Sequence, residues 1–358
     1  MRKSYLDNIR WVTVFVVVIY HVFYMYNAEG IVGVVGNITG LQTQPWDVFQ
    51  YAVYPWFMPI LFIVSGICSR LYLDRHTAKE FAASRTTKLL VPSTIGLFVF
   101  QFIQGYLNTR NSDAINMMKT VPWWGAYLIV VVSGIGVLWY IQMLWIFSIA
   151  LLLVRKIDKD DRLWKLGGKT NLIALILLFV PVFGAAQILN TPIICVYRFG
   201  FYFLVFLLGY FVFSHDEVIE VLKKWFVLFC PVAVALGVAF CWMYFGENYA
   251  DKPVNRTVLF LAFSWFACLA ILGGFARFFD KETPVTKWIS DRNFGLYVFH
   301  YLGISVVAIY LAKPGLIPAW ASYLLSLIAA FALSYVLNFV ISRVPFFRWA
   351  VLGIKKMK

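Results

Sequence analysis

Arg10 and His21 stand eleven residues apart in the first apolar segment of this 358-residue chain, just after Tyr5-Leu6-Asp7-Asn8-Ile9. Eleven residues at about 100° each make roughly three full helical turns. In a helix the two side chains therefore share a face, about 16 Å apart along the axis. Ionisable groups inside a membrane helix are costly, and each marks a functional site by default. The pair places a fixed cation at one membrane surface and a proton-accepting imidazole near the midplane. That arrangement suits either catalysis or a proton path. Asp7 and Arg10 would orient the surroundings, because Arg10 cannot touch His21 along a straight helix.

Four further stretches carry polar groups in apolar surroundings. The run from Phe57 to Gly66 ends in Ser65-Gly66, a small-residue pair that lets helices approach closely. Packing is the plainer explanation, although the Ser65 hydroxyl could also donate to a substrate or act as a nucleophile. Arg70 follows, and snorkelling to the headgroups accounts for it as well as ligand binding does. In Ser84-Arg85-Thr86-Thr87-Lys88-Leu89-Leu90-Val91-Pro92, Arg85 and Lys88 fall at i, i+3 on one helical face. They either anchor a helix end or form an anion site, with Arg binding phosphate bidentately and Lys as a point charge. Leu138-Trp139-Tyr140-Ile141-Gln142 offers an aromatic pair and an amide for lining a cavity or for packing. Gly295-Leu296-Tyr297-Val298-Phe299-His300 puts Tyr297 and His300 at i, i+3, with His300 expected about 9 Å inside its span. A helix-packing hydrogen bond would explain that histidine too.

The elements that must hold these groups are membrane helices. Charged residues are 13% of the chain, about half the share of a soluble protein. Mean hydropathy is +0.78. Stretches long enough to span a bilayer recur at about 9–27, 52–73, 89–107, 134–154, 172–190, 195–213, 225–245, 256–277, 294–312 and 319–341. The first is too long for a signal peptide and has no small-residue cleavage site, so it reads as an uncleaved helix. The fourth apolar run begins near Trp123, which leaves room for an interfacial or re-entrant piece ahead of that span. The expected fold is an all-α polytopic helix bundle of about ten transmembrane helices, one domain over residues 1–358 with no extramembrane domain. Of the 31 Lys and Arg, all but Arg110, Lys119, Arg198, Lys252, Arg256 and Lys313 fall at the termini and alternate loops, which puts both termini in the cytoplasm. The formal charge of +14 is thus a topology signal, not a nucleic-acid footprint. The loop 28–51 lacks Lys and Arg, and the charged run 155–170 reads as a solvated linker. Five scattered cysteines read as structural bulk, and the four histidines share no metal-ligand spacing. With this topology Arg10, Ser65, Arg70, Arg85, Lys88 and His300 lie in the cytoplasmic half, a basic funnel with His21 alone at its end.

Taken in order, these motifs resemble membrane-bound acyltransferase family 3. Leu6-Asp7-x-x-Arg10 and His21 are similar to its first-helix Arg-x10-His. Pro59-x-Leu61-Phe62-x-x-Ser65-Gly66 resembles its F-x-x-S-G pattern, and Arg85-x-x-Lys88-Leu89-x-x-Pro92 its R-x-x-R-L-x-x-P. Leu138-Trp139-Tyr140 is similar to its L-W-F element and Gly295-Leu296-Tyr297-x-x-His300 to its G-x-Y-x-x-H. Lys88 replaces the second Arg, and no His precedes Leu138-Trp139. The chain resembles the stand-alone type, nearest in spacing to the glucan succinyltransferases.

The resemblance implies transfer of an acetyl or succinyl group from cytoplasmic acyl-CoA to a hydroxyl of an extracytoplasmic or lipid-linked carbohydrate, in the cell membrane. Acyl-CoA would be a co-substrate, with no permanently bound cofactor. His21 would be general base with Arg10 beside it in the catalytic set. Arg85, Lys88, Arg70, Ser65, Trp139, Tyr297 and His300 would bind substrate. Direct transfer and a covalent acyl-His or acyl-Ser intermediate both stay open. A proton-coupled transporter of an anionic solute is the main rival, since a basic cavity with a midplane His serves that task equally well. A non-catalytic partner in an envelope-synthesis complex is the third reading.

Overall fold

The computed structural model describes residues 3–26, 45–110, 116, 118–158, 160–191, 196–250 and 252–355. Among them the chain is helical with no strand, as a sequence whose backbone groups must be satisfied inside a bilayer requires. The helices are α1 Ser4–Met25, α2 Val48–Leu73, α3 Ala78–Arg110, α4 Trp123–Ser133, α5 Trp139–Ile157, α6 Arg162–Gly167 and α7 Leu172–Gln187. They continue as α8 Phe199–Phe211, α9 Asp216–Lys224, α10 Phe226–Tyr244, α11 Val258–Phe278, α12 Pro284–Ala312, α13 Ala319–Arg343 and α14 Pro345–Leu352.

Among the described residues 8 helical stretches are long and apolar enough to cross a membrane, or up to 9 if α8 and α9, bent by 106°, count as one span. Two of the ten expected segments, 172–190 and 195–213, hold the shorter helices α7 and α8. The run before the fourth span is separate, as α4. It ends at Gly134, and a 3-10 turn at Gly136–Leu138 leads into α5. Most of the loop 28–51, and Cys195, lie outside the described residues.

The chain divides into two compact units interleaved in sequence. One comprises Met1–Thr13, Val48–Ala83 and Ile146–Ser290, the other Val14–Asp47, Ser84–Trp145 and Asp291–Lys358. In the first, α2 and α8 meet backbone to backbone. A Cβ added at Gly66 would strike the main chain of Phe206, and one at Gly209 that of Ile63. Phe62, Phe147, Tyr202 and Phe206 pack around this contact. The start of α1 is tied down by the Tyr5 N–H donating to Asp280 (2.9 Å) and by the Asn8 amide donating to the Phe279 and Lys281 carbonyls.

In the second unit α1 is held to α13 by Phe15 against Phe331 and by a 2.8 Å hydrogen bond between Tyr26 and Ser326. Gly105 of α3 sits against the backbone of Val130 in α4. A buried polar ladder then joins α3 to α12. The Gln101 amide donates to the Val298 carbonyl (3.1 Å). The Gln104 amide donates to Ser305 (2.8 Å) and Asn108 (2.7 Å), and Asn108 to the Ser133 carbonyl. Gly303 seats α12 against the backbone of Ala329 in α13. These contacts fix the two helices that carry the histidines.

Candidate active site

His21 and His300 meet ring to ring. The Nδ1 of His21 lies 3.0 Å from the Nε2 of His300, with ring centroids 5.0 Å apart. His300 is fully buried. Its Nδ1 faces the carbonyl oxygens of Leu296 (3.1 Å) and Tyr297 (2.9 Å). Carbonyls only accept, so that nitrogen carries the proton and the Nε2 of a neutral His300 is an acceptor. It takes the Nδ1 proton of His21, which leaves the Nε2 of His21 with its lone pair. The result is an ordered chain from backbone carbonyls through His300 to a basic nitrogen on His21.

The start of the helix that carries His300 also differs from the expectation. That helix begins at Pro284 rather than near Phe294, so His300 is about 24 Å from its start. Asp291, Arg292 and Asn293 lie within the helix instead of before it, which is why composition placed its end too late. Paired with His300, His21 does not stand alone.

Aromatic rings enclose the pair. Tyr20 and Tyr301 stand edge-on to His21 at 5.2 Å and Tyr24 at 6.1 Å. Tyr297 lies 6.4 Å from His300, with Tyr140 6.0 Å from Tyr297 and Trp139 beside Tyr140. The Tyr297 hydroxyl donates to the Val137 carbonyl, fastening α12 to the turn ahead of α5. Tyr301 is buried, and its hydroxyl has no partner among the described residues. An unsatisfied buried hydroxyl beside the His21 ring is expensive unless something else accepts from it. Tyr24 and Tyr301 were missed by motif reading. The only signals were their positions, one turn after His21 and one residue after His300.

The remaining candidates are distributed differently. Arg85 immediately precedes, and Lys88 lies within, a π-helical segment, Thr86–Leu90, whose wider turn breaks the α-helical spacing. They do not share one face as the i, i+3 rule implies: Arg85 is half-buried and Lys88 exposed. Trp145 donates to Thr86 within this segment (3.2 Å). Arg10 pairs with Asp7 at 3.1 Å on α1.

Arg70 belongs to the first unit, and its guanidinium is committed. It reaches Asp161 through two nitrogens (3.1 and 3.4 Å) and Asp74 through Nε (2.8 Å), and it stacks 4.2 Å over Trp164. The run 155–170 is accordingly not a plain solvated linker, since α6 and Asp161 within it close over Arg70. Ser65 is buried in the same unit beside the Gly66 contact, its carbonyl accepting from Ser69.

Fold and site together define a polytopic all-α membrane protein with a hydrogen-bonded histidine pair inside its spans. A family model described as an acyltransferase domain, Acyl_transf_3, matches residues 3–339, nearly the whole chain. The chain belongs to that family and is a membrane acyltransferase. No curated protein and no solved structure matches it.

Proposed function

We propose that the protein moves an acetyl or succinyl group from cytoplasmic acyl-CoA to a hydroxyl of an extracytoplasmic or lipid-linked carbohydrate in the cell membrane. The observation that carries this reading is the 3.0 Å contact between His21 and His300, with the far nitrogen of His300 held by two carbonyls. A proton taken up by His21 can be shared along that chain, much as a second group orients and steadies the base of a catalytic triad.

In the proposed step the Nε2 of His21 removes the acceptor hydroxyl's proton as the oxygen attacks the thioester carbonyl. The C–S bond then breaks, and the leaving thiolate takes the proton back from the imidazolium. The Tyr301 hydroxyl, which needs an acceptor, donates to the carbonyl oxygen as negative charge develops on it. Trp139 and Tyr297 line the approach. Arg85 and Lys88 take the phosphates of the donor. Arg10, paired with Asp7 and too far along α1 to touch His21, orients the surroundings at the start of α1. Ser65 and Arg70 have packing and ion-pair roles in the first unit, and direct transfer needs no acyl-Ser. The spacing resemblance to glucan succinyltransferases favours succinyl-CoA as the donor to try first.

The test measures saturable thermal stabilisation of the purified protein by acetyl- and succinyl-CoA, and then thiol release with a carbohydrate acceptor. His21→Ala should keep donor binding and lose about 10²–10⁴-fold in turnover. Arg85→Ala should mainly weaken donor binding. Normal turnover in His21→Ala would remove the general-base assignment. Anion uptake without thiol release would favour a proton-coupled transporter.

A further inference from the structure

A second site lies wholly within the first unit and has no part in the proposed acyl transfer. A cavity of about 600 Å³ opens between the start of α3 and the end of α5. Its floor is aliphatic, formed by Ile149, Leu152 and Leu153, and its rim carries Lys79, Arg155 and Lys156. We propose that this cavity binds an anionic phospholipid, with the phosphate held by the three cations and an acyl chain lying on the aliphatic floor.

Charge is the first argument. Two carboxylates, Asp158 and Asp161, also face the cavity, but both are engaged elsewhere. Asp158 accepts from the backbone N–H groups of Arg162 (2.8 Å) and Leu163 (3.1 Å), capping α6. Asp161 is occupied by Arg70. Among the described residues, none of Lys79, Arg155 and Lys156 forms an ion pair. With Asp161 paired to Arg70, three cations face one opening with Asp158 as the single remaining carboxylate, its oxygens turned to the α6 backbone, and this excess of positive charge calls for an anionic ligand.

Depth and shape choose the ligand. Arg155 and Lys156 sit in the last turn of a membrane-spanning helix, the level at which phospholipid phosphates lie. Below them the floor is continuous with a lipid-facing flank of α5, where Leu153 is 59% and Ile157 85% exposed. An acyl chain can run from that flank into the cavity without leaving apolar surroundings. The lining holds no aromatic ring on which a purine could stack, so a nucleotide is the poorer fit.

The experiment uses the full-length protein, delipidated in detergent, with phosphatidylglycerol, phosphatidylcholine, inorganic phosphate and ADP as separate additions. Phosphatidylglycerol should raise the unfolding midpoint saturably, while phosphatidylcholine and phosphate should not. In a Lys79→Gln, Arg155→Gln, Lys156→Gln variant the apparent affinity for phosphatidylglycerol should fall at least tenfold, with the lipid-free midpoint unchanged. Wild-type affinity in that variant would overturn the proposal. So would stabilisation by phosphate or ADP that the variant loses, which would reassign the cavity to a soluble anion or a nucleotide. If the triple variant does not fold, Lys156→Gln alone, on an exposed side chain, should still weaken binding about threefold, and unchanged binding would count against the site. Acyl-transfer activity plays no part in this readout, so its failure and that of the proposed function are separable.

Discussion

A neutral imidazole acts as a base only through the nitrogen that lacks a proton, and His300 determines which nitrogen of His21 that is. Two carbonyls hold the proton on the Nδ1 of His300, so its Nε2 accepts from His21 and leaves the outer nitrogen of His21 basic. The expected behaviour of His300 variants follows. His300→Gln keeps a side-chain carbonyl that can accept from His21, whereas His300→Leu removes the acceptor. Turnover should fall roughly tenfold in the first and on the order of 10²-fold or more in the second, with the donor KM little changed. Equal losses in both would mean that His300 fills space rather than orienting His21. Tyr301→Phe deletes a buried hydroxyl that has no partner among the described residues. Its unfolding midpoint should hold or rise slightly. Its kcat should fall by about 10²–10³-fold, the usual loss of an oxyanion donor. A parallel rise in KM without a fall in kcat would instead assign Tyr301 to acceptor binding.

At the scale of the element, the decisive features are close approaches and polar cross-links. Without a hydrophobic force between helices in lipid, small residues set which pairs can touch. Gly66 and Gly209 do so for α2 and α8, each against the other helix's backbone. Gly66→Val should lower stability by about 1–3 kcal/mol or prevent folding, seen as a lower midpoint in detergent, because backbone cannot yield as a side-chain tip can. A value within about 0.5 kcal/mol of wild type would show that the helices can separate freely there. The F-x-x-S-G motif was legible in the sequence as a small-residue pair, and its packing reading describes what Gly66 does. Gln101, Gln104 and Asn108 were not legible as anything but polar residues in a span. Their meaning depends on the carbonyls and hydroxyl of α12 and α4 opposite them. Helix ends were read least well. Composition began the His300 span ten residues late, since Asp291 and Arg292 read as a loop although they continue the helix.

For the whole molecule, the Lys and Arg distribution is the strongest statement about placement in the membrane. Reporters fused to the N-terminus and to the C-terminus should both give cytoplasmic signals, and one inserted in the loop 28–51 an outside signal. Opposite signals at the two termini would require an odd number of spans and a reassignment among α4 and α7, the shorter apolar helices among the described residues, and the bent pair α8 and α9. Class and family were determined by the sequence alone. Apolar runs of bilayer length leave no other fold class, and an Arg and a His inside one of them are too costly to be accidental. Partnership was decided only by the tertiary structure. His21 and His300 are 279 positions apart, and no periodicity relates two rings on different helices. The same holds for Arg70. Its type and depth suit a phosphate ligand, but Asp161, from a run that reads as solvated linker, occupies its donors. Periodicity specifies which way a residue faces within its helix, whereas its neighbour across the interface depends on how the helices pack.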